Sequence, residues 1–211
     1  MRMFCVVGES SKGKTTLVEQ LTKALTSKGY SVCTVKHTHF EHFDIQGKDT
    51  ARHLTSGALM TIGLAENETV AFMNKRDLED IKKFVSPIDF LIVEGGKGLI
   101  CPKVLVGETD VTGENYIAKW KLGEPIEPVL EAIFKLPADS VQLYVDGKRI
   151  NIKPYIQKAI ISMLIGFIST LKGVDSVGKE LVVKVNLREF FEKEKIEDIL
   201  RTIFCGKIET Y

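Results

Sequence analysis

Eight residues near the start of the chain, Gly8-Glu9-Ser10-Ser11-Lys12-Gly13-Lys14-Thr15, fit G-x-x-x-x-G-K-[ST] at every position. That spacing is built to cradle the phosphates of a nucleoside triphosphate. Gly8 and Gly13 are expected to adopt φ values that turn successive backbone N–H groups toward the phosphates. Lys14 supplies a cation for the β- and γ-phosphates, and the Thr15 hydroxyl is placed to face Mg²⁺. A helix opening there adds its positive end, so the nucleotide-binding stretch is expected to run from Gly8 through Glu9, Ser10, Ser11 and Lys12 to Thr16. The chemistry implied is nucleoside triphosphate binding.

A second run, Asp89-Phe90-Leu91-Ile92-Val93-Glu94-Gly95-Gly96-Lys97, carries an acid at each end of an apolar stretch. Glu94 falls at the carboxyl end, the side where ligands bind in open α/β sheets. It is expected to orient Mg²⁺-bound or attacking water, which makes Glu94 and Lys14 the candidate catalytic pair. Asp89, at the opposite end, is expected to serve only where the strand begins.

All four histidines lie in one window with other polar groups: Lys36, His37, His39, Glu41, His42, Asp44, Lys48, Asp49, Arg52 and His53. His, Asp and Glu together suit a metal site. Lys36, Lys48, Arg52 and protonated histidines equally suit an anion-binding loop. A plain polar surface loop is the third reading. Because the window follows a predicted strand directly, an active-site loop is favoured over a structural zinc.

The elements that must position these groups follow from the pattern. Arg2 to Val7 reads as a strand, and Leu17, Val18, Leu21, Ala24 and Leu25 recur at helical spacing before Gly29. Tyr30 to Lys36 reads as a second strand, so a right-handed crossover and a parallel sheet are expected. Strands are predicted over 59–64, 69–73, 88–93, 102–106 and 116–119, with helices over 78–84 and 126–135. The run Ile88 to Val93 suits a strand buried on both faces. Residues 136–140 read as a linker. Beyond it, Asp146-Gly147 signals a tight hairpin between 141–146 and 149–153. A helix over 154–171, a strand over 181–186 and a helix over 188–204 complete the chain. The expected fold is α/β, a P-loop NTPase-type, mostly parallel sheet with flanking helices over 1–137. A small α+β appendage over 138–211 follows, read as an interaction or dimer-supporting module.

Composition excludes some partners. The chain has 211 residues, 44% hydrophobic and 27% charged, with 29 Lys+Arg against 28 Asp+Glu. A net charge of +1 gives no global drive toward nucleic acid or anionic lipid, so anion binding must be local. The longest apolar run, Ala159 to Leu171, falls short of the ~20 residues that cross a bilayer. The opening residues do not read as a signal peptide. Cys5, Cys33, Cys101 and Cys205 are scattered without a C-x-x-C pair, which argues against a disulfide framework or zinc knuckle. A cytoplasmic protein is expected.

Taken together, Gly8 to Thr16, Val35-Lys36-His37-Thr38-His39, Phe43-Asp44-Ile45, Gly47-Lys48-Asp49-Thr50 with Arg52, Gly57-Ala58, Val93-Glu94-Gly95 with Lys97 and Pro102-Lys103 resemble one family. It is the molybdopterin-guanine dinucleotide biosynthesis protein B family, MobB, and the resemblance covers roughly residues 1–135. It implies a GTP-binding protein with weak GTPase activity at most. Such a protein would assist the guanylyltransferase that attaches GMP to molybdopterin, as a homodimer. By position, Gly8 to Thr16 would hold GTP and Mg²⁺, and Glu94 would sit near the metal. Lys36, His37, His39, Asp44, Lys48, Asp49 and Arg52 would form the signature loop. Gly96 stands where the family commonly has an aromatic residue, and 138–211 lies beyond its shorter members. A small-molecule kinase and a metal-delivering GTPase are the alternatives from other classes.

Asn74-Lys75-Arg76-Asp77 spells the N-K-x-D guanine signature of Ras-like GTPases. It precedes the strand that ends in Glu94, whereas in that class it follows the equivalent acid. A helix cap at Asn74 or Asp77 is the preferred reading.

Overall fold

The computed structural model of the protein describes residues 1–38, 49–74, 76–108, 115–138, 140–145, 148–174, 176–178 and 180–183. The chain divides into two compact units, Met1–Ile161 and Ser162–Tyr211.

In the first unit, β1 (Arg2–Gly8) leads through the phosphate loop into α1 (Lys14–Ser27), and β2 (Val32–Lys36) follows. A short helix α2 (Asp49–Thr55) precedes the strands β3 (Met60–Leu64) and β4 (Thr69–Met73). Then come α3 (Leu78–Val85), β5 (Phe90–Glu94), β6 (Lys103–Val106), β7 (Tyr116–Trp120) and α4 (Glu127–Phe134). The pair β8 (Leu143–Val145) and β9 (Lys148–Ile150) follows, and α5 (Pro154–Ile168) begins there. Five strands form one sheet in the order β2-β5-β1-β6-β7, and all their pairings are parallel. The chain leaves β1 for β2 on one side and returns to β6 and β7 on the other. The carboxyl end of β1 is therefore a topological switch point, where ligands of such sheets bind.

Strand alternation assigns the core. Phe4, Val6, Phe90, Ile92, Val104 and Val106 pack under Leu17, Leu21 and Leu25 of α1 and Val129 and Ile133 of α4. Cys5, Val7, Val93, Cys101 and Leu105 form the other face, with Leu78 and Leu99 against them. β1 and β5 are covered on both sides, which explains their near-continuous apolar sequence. At the opposite edge of the sheet, the Asp89 carboxylate accepts from the Ser31 N–H at 2.8 Å and the Ser31 hydroxyl at 2.9 Å. Asp89 thus fastens the start of β5, as its position suggests.

Four expectations change. The window after β2 contains a helix, α2, whose residues include none that are buried. Without a buried face it leaves no apolar period to read. The hairpin after the linker is shorter than expected, with Leu143 opposite Ile150 and Val145 opposite Lys148. Its Asp146-Gly147 turn lies outside the described residues. Of the strand over 181–186 only 181–183 are described, and they are irregular. The helix over 188–204 lies outside the described residues.

The fourth change is chemical. Cys5 and Cys101 are joined by a disulfide across 96 residues. The reason is topological: β6 pairs with β1 from Cys5↔Lys103 onward, and the Cys5 N–H donates to Pro102 O at 2.8 Å. Cys101 therefore arrives beside Cys5. Among the described residues Cys33 is the free cysteine, and burial pushes its thiol pKa up. Closing so long a loop stabilises by roughly 4–5 kcal/mol in the chain-entropy account. Non-reducing digestion and mass spectrometry should find a Cys5–Cys101 cross-linked peptide, and a reductant should lower the melting temperature. Free thiols at both positions in the folded, air-exposed protein would contradict this.

Candidate functional site

The phosphate loop occupies the turn between β1 and α1. Gly13 stands at the N-cap of α1 with φ 96°, in the left-handed region, and Ser11 also has a positive φ of 58°. Gly13 is glycine for conformational reasons. Gly8 is not. Its φ is not positive, and a Cβ there would collide with the Val106 carbonyl oxygen of β6. The φ freedom expected of Gly8 is corrected to close backbone approach.

α1 begins with Lys14, Thr15 and Thr16, so its unpaired N–H groups face the loop. The first helical bond runs from the Leu17 N–H to Gly13 O at 2.9 Å. The Lys14 ammonium donates to the Glu9 carbonyl, which holds it across the hollow of the loop. A fixed ammonium beside the positive end of a helix suits an anion.

Glu94 meets the loop from β5. The Thr15 hydroxyl donates to Glu94 Oε1 at 2.8 Å, and Lys36 Nζ lies 3.4 Å from the same oxygen. The Glu94 side chain is 14% exposed, against 63% for Lys36, so the carboxylate is the fixed member of that pair. Register explains the meeting, because Val6 pairs with Glu94 and Lys36 pairs with Glu94 from the other side. The main chain closes the same corner: the His37 N–H donates to Glu94 O, and the Gly95 N–H to Val6 O, both at 2.9 Å. A hydroxyl and a carboxylate side by side at a helix start are hard oxygen donors, the type that Mg²⁺ takes together with phosphate oxygens. The residues present fit that ion.

The structure thus brings Lys14, Thr15, Lys36, His37 and Glu94 to one sheet edge. Glu9, Ser10, Ser11 and Lys12 line the loop itself, and Thr16 continues α1. Asp49 and Arg52 stand together on α2 instead, 3.8 Å apart and well exposed, a surface pair of small energetic weight. His39, Asp44 and Lys48 lie outside the described residues, as do Glu41 and His42. Among the described residues no group of three or more His, Cys, Asp or Glu is arranged to hold a metal ion.

Asp77 of the N-K-x-D tetrapeptide has a structural duty. It is the N-cap of α3, and its carboxylate accepts from the Asp80 N–H at 2.8 Å. Asn caps as well as Asp. Asp77→Asn should therefore change neither the melting temperature nor any preference between GTP and ATP. A collapse of that preference in competition binding would place Asp77 in the base site after all.

Lys103 stands in the family pattern without a role that its sequence position specifies. On β6 it is 7% exposed, and its ammonium donates to Leu99 O at 2.7 Å and Cys101 O at 3.4 Å. It ties down the segment that follows Glu94. The signal available was a lysine beside three consecutive apolar residues, which marks a buried strand with one polar duty.

The family profile for Molybdopterin guanine dinucleotide synthesis protein B matches residues 3–122. A protein of Methanocaldococcus jannaschii named putative molybdopterin-guanine dinucleotide biosynthesis adapter protein is 27% identical, over 83% of this chain and 94% of that protein. The molybdopterin-guanine dinucleotide biosynthesis adapter protein of Haemophilus influenzae is 31% identical over 51% of this chain and 64% of its own length. The crystal structure of Bacillus subtilis MobB is similar with a TM-score of 0.47 at 21% identity, over 63% of this chain and 98% of that one. With a profile match across more than half of its 211 residues, the chain belongs to the Molybdopterin guanine dinucleotide synthesis protein B family.

Proposed function

We propose that the protein binds GTP with Mg²⁺ and acts as an accessory to the guanylyltransferase that attaches GMP to molybdopterin. The observation that carries this reading is the Thr15 hydroxyl held 2.8 Å from the Glu94 carboxylate at the start of α1. In that arrangement α1 and Lys14 bind the phosphates, while Thr15 and Glu94 would hold Mg²⁺. The ion neutralises phosphate charge when bound. Glu94 already engages Thr15 and Lys36, so it is better suited to a metal shell than to withdrawing a proton from water. Slow hydrolysis at most is the consequence, and binding rather than turnover is the working property.

Names of relatives support the accessory role, since two of them are called biosynthesis adapter proteins. Lys36 and His37, beside Glu94, are suited to an anionic partner such as the phosphate of molybdopterin. A homodimer is part of the reading. The β3–β4 pair stands apart from the main sheet and exposes Leu59, Ile62 and Leu64, and an isolated two-stranded pair is marginal without a partner. No described helix is long and apolar enough to cross a membrane. We place the protein in the cytoplasm as part of the same reading, with the Cys5–Cys101 bond an exception to the reduced state usual there. Residues 138–211 are read as an interaction module outside the nucleotide chemistry. In support, Gln142, Tyr144 and Arg149 line a cavity with Met1, Met3 and Leu136, where β1 begins, away from the phosphate loop.

The test is a reconstituted guanylylation assay. Adding the full chain to a molybdopterin guanylyltransferase with molybdopterin and GTP should raise dinucleotide formation. No stimulation at any ratio of the two proteins would overturn the accessory role.

A further inference from the structure

The phosphate loop has two flanks, and the Thr15–Glu94 pair lies on one of them. Glu94 and Lys36 come from β5 and β2, on one side of β1. β6 and β7 lie on the other. A triphosphate whose terminal phosphates meet Lys14, Thr15 and Glu94 must direct its nucleoside away from β5, toward the ends of β6 and β7.

A defined surface waits on that flank. A Cβ on Gly13 would meet Leu122 Cδ1 at 3.2 Å and the Trp120 ring at 3.4 Å, and one on Gly107 would come within 3.9 Å of Lys12. The segment after β7 is a locked turn. The Glu124 N–H donates to Lys121 O at 3.0 Å, the Lys121 N–H to Glu124 Oε2 at 2.8 Å, and the Trp120 indole N–H to Glu124 O at 2.9 Å. It presents Leu122 with 64% exposure directly beside the loop. Next to it, Lys121 Nζ stands 3.3 Å from Glu108 Oε1, and the Lys119 ammonium fixes the Glu108 carbonyl at 3.1 Å.

We propose that this platform is the guanosine subsite, with Leu122 against the face of the base and the Glu108–Lys121 pair reading its edge. Guanine presents two donors, N1–H and the N2 amino group, beside the O6 acceptor. A carboxylate next to an ammonium is the complement of that row. Adenine places a lone pair at N1, opposite the carboxylate, and sites built on such hydrogen bonds reject the analogue that lacks them. The proposal rests on the GTP-binding reading above, and it names residues that the N-K-x-D tetrapeptide does not.

The experiment is calorimetric titration of the full chain with GTP, ATP and xanthosine triphosphate in Mg²⁺, using wild type, Glu108→Gln and Lys14→Ala. Xanthine replaces the N2 amino group with a carbonyl, which a glutamine amide can donate to. Glu108→Gln should weaken GTP at least fivefold and strengthen xanthosine triphosphate at least fivefold, with an unchanged melting temperature because Glu108 is exposed. A change under fivefold in GTP affinity, with binding lost in Lys14→Ala, would overturn the subsite and leave the phosphate site standing. GTP binding that survives in Lys14→Ala, or is absent from wild type, would remove both.

Discussion

Replacing Lys14 with alanine should abolish measurable GTP binding in a protein that melts where wild type does. The ammonium makes its bond to the Glu9 carbonyl within the loop and none to the core. Its removal therefore leaves β1 and α1 in place. What is lost is a side-chain cation fixed over the loop. A charge-assisted contact to phosphate is worth about 2 kcal/mol or more, a loss of roughly 30-fold or greater. The backbone donors of the loop and the helix start cannot make up that difference. Fluorescence or calorimetric titration measures the affinity, and thermal melting checks the fold. Unchanged affinity in a folded variant would remove the phosphate-loop assignment.

The second large effect is expected at Glu94. Glu94→Gln keeps the size of the side chain and its bond from Thr15 but removes the negative charge. Wild-type affinity for GTP should rise when Mg²⁺ replaces a chelator, while the variant should show the same weak affinity in both, at least tenfold below wild type in Mg²⁺. Stability should hardly move, because the lost ion pair to Lys36 is long, at 3.4 Å, and its lysine is mostly exposed. That contrast separates a metal-holding carboxylate from a structural one. A variant that keeps the full Mg²⁺ response would contradict the role given to Glu94.

Much of this site was legible because it is local or because one strand dictates it. The phosphate loop is eight consecutive residues, and Glu94 ends a run whose double burial shows in its sequence. Asp77 is local as well, since a cap reaches only three residues ahead. What escaped reading depends on strand order. Gly8 is required by Val106, a contact created only when β6 settles beside β1. The same pairing brings Cys5 to Cys101, so scattered cysteines misled on the disulfide. Leu122 belongs to no motif, and only the turn after β7 sets it beside Gly13. α2 failed for a different reason, namely a polar helix with no buried side.

The central claim is that the protein is a GTP-loaded accessory, and one titration addresses it most directly. GTP is titrated into the full chain with Mg²⁺, then again with a molybdopterin guanylyltransferase present, and ATP is run in parallel. The account predicts saturable GTP binding, tighter than ATP, with an affinity that shifts when the guanylyltransferase is added. Absence of saturable GTP binding in both titrations, or equal binding of ATP and GTP with no response to the guanylyltransferase, would contradict it.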